Sequence, residues 1–91
     1  MTQVTLKKSV ETELKRLPKY IATKFLLWVS MVEEMGLREV RTIKSYHDEP
    51  LKGKRFGQRS IRLNRAYRAI YRVIEAQVEI IEVVEVNNHE Y

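Results

Sequence analysis

Hydrophobic positions along this chain change period twice, and the changes divide it into elements. Gln3 to Lys7, with the β-branched Val4 and Thr5, reads as a short first strand. Val10, Leu14 and Leu17 then recur at helical spacing behind Ser9, with Thr12 and Glu13 in the first turn. This predicts an N-cap at Ser9 and a short helix over about Val10 to Arg16. Pro18 restarts the pattern, since its fixed φ and missing N–H suit a first helical turn, and the stretch runs to a terminal glycine at Gly36. Within it Ile21, Phe25, Trp28, Val32 and Met35 step by four, three, four and three residues. Tyr20, Leu26, Leu27, Val29 and Met31 widen that stripe, which predicts a helix that buries most of its circumference. Trp28 and the methionines read as core packing. The two helices, joined at Leu17-Pro18, make a predicted α-hairpin, and Leu37 to Ile43 reads as a third helical turn.

Period two takes over after a loop, Lys44 to Gln58, punctuated by Pro50, Gly53 and Gly57. Arg59 to Asn64 alternates, with Ile61 and Leu63 on one face and Ser60, Arg62 and Asn64 on the other. Tyr67 to Ile74 sets Tyr67, Ala69, Tyr71 and Val73 against Arg68, Ile70, Arg72 and Ile74. Val78 to Val86 is apolar enough on both faces for a central strand. Asn64-Arg65-Ala66 and Glu75-Ala76-Gln77 are hairpin-length connections, so the three strands form an antiparallel meander. Helices followed by such a meander predict one α+β domain over residues 1–91, an N-terminal helical hairpin packed on one face of a small twisted antiparallel sheet. The opposite face is left to Arg62 and Arg68.

Charge adds a partner class to this picture. Leu51 to Arg72 holds eight of the 17 Lys and Arg residues, namely Lys52, Lys54, Arg55, Arg59, Arg62, Arg65, Arg68 and Arg72, and no acid. The apolar residues interleaved with them place the charges on a folded surface rather than on a disordered arm. Such a surface fits a polyanion, nucleic acid first. With no cysteine, disulfides and thiolate chemistry are excluded, and two histidines argue against a dedicated metal centre. No cofactor motif is present. No apolar run approaches the roughly 18 residues of a membrane span, and the N-terminus lacks a secretory h-region, so a cytoplasmic protein is expected.

Candidate chemistry gathers on the sheet face opposite the helices. Arg62 and Arg68, on adjacent strands, can converge on one phosphate and stabilise a pentacovalent transition state, and Lys52 and Lys54 can reach the same place from the glycine-flanked loop. Equally, strand arginines can pair with Glu79, Glu82, Glu85 or Glu90. His47 and His89 are the side chains whose unperturbed pKa lies nearest neutrality, and Glu49 beside the basic run is either a counter-ion or a proton acceptor. No protein nucleophile motif is visible. RNA supplies its own nucleophile in the 2′-hydroxyl.

Pro50-Leu51-Lys52-Gly53, Gly57-Gln58-Arg59-Ser60-Ile61-Arg62-Leu63, Tyr67-Arg68-Ala69-Ile70-Tyr71 and the terminal His89-Glu90-Tyr91 resemble the RelE/ParE superfamily of bacterial toxins, especially RelE- and HigB-like mRNA interferases. The resemblance implies a microbial RNase fold. It also implies a ribosome-dependent, metal-independent endoribonuclease of a type II toxin-antitoxin system, cutting mRNA in the ribosomal A site beside 16S rRNA. A cognate antitoxin would neutralise it in a toxin-antitoxin hetero-oligomer. By position the resemblance makes Lys52, Arg62, Arg68, His89 and Tyr91 the catalytic group and Lys54, Arg55, Arg59, Arg65 and Arg72 RNA-binding residues. HigB-like relatives can place a histidine directly before the proline of PLKG, where this chain has Glu49. The alternative within the same superfamily is a ParE-like inhibitor of DNA gyrase without nuclease activity.

Overall fold

A computed structural model describes residues 2–74 and 79–88 of the chain. The elements run β1 (Thr2–Leu6), α1 (Lys8–Leu14), α2 (Lys19–Met35), α3 (Leu37–Val40), β2 (Glu49–Pro50), β3 (Gln58–Arg62), β4 (Arg68–Ile74) and β5 (Glu79–Asn87). Two short 3₁₀ turns, Lys44–Tyr46 and Gly53–Arg55, flank β2 and break up what the sequence presents as a single loop.

Pro18 and Gly36 bound α2 as their chemistry requires. Pro18 is the N-cap, and Gly36, at φ 88°, lets the chain leave the helix directly into α3. The start of α1 differs from the expected cap at Ser9. The helix begins two residues before the expected Val10, at Lys8, and its N-cap is Lys7, with no side-chain cap bond. Lys7 N–H instead donates to Val83 O at 3.1 Å, so strand pairing positions the helix start in place of a hydroxyl cap.

One sheet holds all five strands in the order β1-β5-β4-β3-β2. β3, β4 and β5 form the expected antiparallel meander, and the connection at residues 75–78 lies outside the described residues. β1 joins alongside β5 in parallel, with Val4 opposite Ile81, which makes β5 interior and the sheet mixed. A parallel pairing across the whole chain leaves no local mark in the sequence. A register shift at Ile70/Tyr71 passes over Val84, so that Ile70 faces Glu85 and Tyr71 faces Val83. Such a bulge increases twist and re-aims side chains.

The helices cover one face of the sheet. Ile21, Phe25, Trp28 and Val32 of α2, Val10 of α1 and Val40 of α3 meet Ile61, Leu63, Ala69, Tyr71, Ile81, Val83 and Val86 in a single core. Trp28 packs its ring 5.3 Å from Tyr71 and 6.2 Å from Phe25. The expectation that α2 buries most of its circumference is overturned: Tyr20, Leu26, Leu27 and Met35 are 67%, 50%, 55% and 47% exposed. A single sheet below one helix can cover only one stripe: Val29 and Met31 still pack partly against the core, while Tyr20, Leu26, Leu27 and the stripe's own Met35 fall outside it.

Candidate active site

The hairpin of β3 and β4 places Arg62 directly opposite Arg68. Asn64 shapes the connection between them. Its side-chain oxygen accepts from the Ala66 and Tyr67 N–H groups at 2.8 and 2.7 Å, an Asx-type turn that leaves Arg65 exposed at the tip. Two like charges directly across a strand pair repel, so this juxtaposition is unfavourable unless an anion answers it.

Arg68 has such an answer within the chain. Its guanidinium donates to Ser60 Oγ at 3.0 Å and meets Glu49 Oε1 at 3.4 Å, and its side chain is only 15% exposed. Ser60 is fully buried one step along the same face. Arg68 is thus fixed in position rather than free on the surface. Arg62, across from it, makes no hydrogen bond or ion pair with a described residue. Glu49 sits on β2 opposite Ser60, and its second oxygen lies 3.7 Å from His47 Nε2.

Glu49 also opens onto a cleft of about 380 Å³ formed with Pro50, Leu51, Lys52 and Arg55. The sequence-predicted Lys52 therefore shares a cleft with the carboxylate that holds Arg68. Arg55 lies there too, tethered to Glu85 Oε1 at 2.5 Å and to Gln58 Oε1 at 2.9 Å. Asn87 donates to Glu85, which extends this polar cluster toward the end of β5. Lys54 is exposed beside it.

Arg59 and Arg72 do not join this group. Alternation turns Arg59 to the face of Ile61 and Leu63, where its Nε donates to Asp48 Oδ1 at 2.6 Å, and Arg72 pairs with Glu82 at 2.7 Å. His89 and Tyr91 lie outside the described residues.

Asp48 is the residue that sequence reasoning missed. Its side chain is 1% exposed, and it accepts from both Arg59 and the Tyr71 hydroxyl, the latter at 2.5 Å. Burial and the neighbouring Asp48 carboxylate push the Tyr71 hydroxyl pKa well above its usual value. Burial alone would lower the Arg59 pKa, but the hydrogen bond and charge of Asp48 outweigh it and hold it above the usual arginine value. The latch fixes the backbone between His47 and Glu49, where His47 takes a left-handed conformation at φ 48°. No periodicity marks an aspartate in a polar loop as buried; its one flag is its place beside two candidate residues.

A family profile described as the ParE toxin of type II toxin-antitoxin system, parDE, matches residues 4–90. The chain belongs to this toxin family. No curated protein matches it in sequence. In structure the toxin is similar to the YoeB/ParE toxin from Agrobacterium tumefaciens, at 19% identity and TM-score 0.73, over 97% of this chain and 99% of that one. It is similar to the archaeal RelE-RelB complex from Pyrococcus horikoshii OT3, at 23% identity and TM-score 0.72, over 96% of this chain and 93% of that one. YafQ from E. coli matches at 15% identity and TM-score 0.73, over 98% of this chain and 94% of that one. The RelE/ParE resemblance and the α+β fold expected from the sequence are thereby borne out. Among the described residues no helix is long and apolar enough to cross a membrane, and no group of three or more His, Asp or Glu side chains could hold a metal ion.

Proposed function

We propose that the toxin is a ribosome-dependent endoribonuclease that cuts mRNA without a metal, as its resemblance to the RelE-like toxins implies. The observation that carries the reading is the pair Arg62 and Arg68, face to face on rigid strands beside the Glu49 carboxylate. A phosphodiester seated between the arginines would relieve their repulsion and replace the long Arg68–Glu49 contact. The substrate's 2′-oxygen then attacks phosphorus, the bond to the 5′-oxygen breaks, and a 2′,3′-cyclic phosphate and a 5′-hydroxyl result. Charge on the equatorial oxygens grows in the transition state, and Arg62, Arg68 and Lys52 stabilise it. Proton movements to and from the reacting oxygens fall to Glu49 and to His89 and Tyr91, the last two assigned by resemblance. Lys54, Arg55 and Arg65 contact the flanking RNA. Arg59 and Arg72, engaged by Asp48 and Glu82, act through the fold. The toxin acts in the cytoplasm, where a cognate antitoxin binds it. Solved structures of similar fold are described as complexes of this kind, among them the heterotetrameric YoeB-YefM toxin-antitoxin complex from Staphylococcus aureus.

The family description favours a second reading, a ParE-like protein that inhibits DNA gyrase and cuts nothing. Induction in bacteria with mapping of mRNA 5′ ends separates the two. New cuts within translated messages are expected, with gyrase supercoiling unaffected. Growth arrest with intact messages and inhibited supercoiling reverses the choice. Arg68→Ala should lower cutting by about 10²–10³-fold, the effect of one fixed transition-state donor. The same change leaves the buried Ser60 hydroxyl unpaired, so a thermal melt of the variant accompanies it.

A further inference from the structure

The loop after β2 presents an aromatic ring that neither the core nor the Arg68 site uses. Phe56 is 87% exposed, more than any other large hydrophobic side chain described. It is not carried on a loose arm. Its N–H donates to Gly53 O at 3.1 Å, and Leu51 N–H donates to Gln58 O at 2.9 Å across the loop base. The Arg55 guanidinium ties the loop to Gln58 and Glu85 on the sheet. Gly57, at φ 94°, turns the chain into β3 immediately after the ring. Exposed Lys52 and Lys54 precede it, and neither makes an ion pair with a described residue.

A ring held outward on a tethered loop beside cations is an arrangement by which proteins bind single-stranded nucleic acid. The cations follow the backbone, and the aromatic face takes a base that no strand partner occupies. We infer that Phe56 is a stacking platform for an unpaired nucleobase of RNA, with Lys52 and Lys54 taking the adjoining phosphates. The inference rests on the RNA-directed reading above and adds the contact that orients the strand entering the cleft at Glu49 and Lys52. An apolar side chain of a protein partner fits less well. The residues around Phe56 in the chain, Lys54, Arg55 and Gly57, offer charge and backbone in place of apolar area.

The test uses the full chain and a short single-stranded RNA of mixed sequence, at low and moderate salt, beside the same strand carrying abasic sites. Phe56→Ala should weaken binding to the intact strand about 5- to 150-fold, the usual effect of removing one base-stacking aromatic. Phe56→Tyr should bind as the native chain does. Phe56→Leu, which keeps apolar bulk and loses the π-face, should be as weak as Phe56→Ala. The native chain should prefer the intact strand, and Phe56→Ala should lose that preference. Binding by Phe56→Leu at the native level, equal weakening of both strands by Phe56→Ala, or no RNA binding by the native chain overturns the inference. Cutting is measured in parallel on translated message. A native chain that binds through Phe56 but cuts nothing refutes the nuclease reading and leaves the stacking intact.

Discussion

Asp48→Asn is the perturbation that asks most of the structure, because it keeps the shape of a buried side chain and removes its charge. Asp48 is 1% exposed and bridges Arg59 at 2.6 Å and Tyr71 at 2.5 Å. Breaking a buried ion pair by removing one partner costs about 3–5 kcal/mol. Arg59 keeps 23% of its side chain in water, and asparagine retains one acceptor, so both discount that figure to about 2–3 kcal/mol. A domain of this size holds about 5–14 kcal/mol in total, and each kcal/mol moves Tm by about 4–8 °C, which predicts a fall of about 8–24 °C. Trp28, the single tryptophan, packs 5.3 Å from Tyr71 and reports the transition by fluorescence in heat and in urea. Tyr71→Phe removes the same latch from the other side. The double variant should therefore cost less than the sum of the singles, by about 0.5–3 kcal/mol. Cutting should also weaken in Asp48→Asn, since Glu49 loses its fixed neighbour. A variant within about 0.5 kcal/mol of the native chain, or strict additivity with Tyr71→Phe, would refute the latch.

Two further outcomes follow from the same region. Tyr71 has its pKa raised in the folded protein, so its contribution is complete below the ordinary tyrosine value near 10 and is lost as pH rises beyond it, where only the unfolded chain ionises. Urea titrations should show stability falling by up to about 1.4 kcal/mol per pH unit above that point from this group, and Tyr71→Phe should flatten the fall; equal slopes would sink the argument. Gly57→Ala meets open space but must hold φ 94°, so it should lower stability by about 1 kcal/mol in a urea melt, and an unchanged midpoint would contradict the backbone argument.

Much of the fold is legible in the sequence because its signals are local. Pro18 and Gly36 punctuate α2, and the alternation around Ile61 and Tyr71 marks the meander. What escapes is decided by distant partners. β1 finds β5 in parallel across most of the chain, and that pairing places the start of α1 without the help of Ser9. The exposure of Leu26 and Leu27 depends on how much of α2 one sheet can cover. In the candidate site, the alternation of β3 and β4 suffices to bring Arg62 and Arg68 together. The same alternation turns Arg59 away, but only the burial of Asp48 gives that arginine its role. Acids named as possible strand partners divide as well. Glu82 takes Arg72 and Glu85 takes Arg55, while Glu49, not a β5 acid, takes Arg68.

Stabilisation by Arg62 and Arg68 of attack by an RNA 2′-hydroxyl, as proposed, can be tested directly in one reaction. Purified toxin is added to ribosomes stalled on a defined message, and the ends of the products are identified. A second message carries a single 2′-deoxynucleotide immediately 5′ of the scissile phosphate. The expected outcome is a 2′,3′-cyclic phosphate and a 5′-hydroxyl on the first message, no cut at that position on the second, and strong loss of cutting with Arg68→Ala. Cutting of the deoxy-substituted message at the same bond, or full activity in Arg68→Ala, would contradict it.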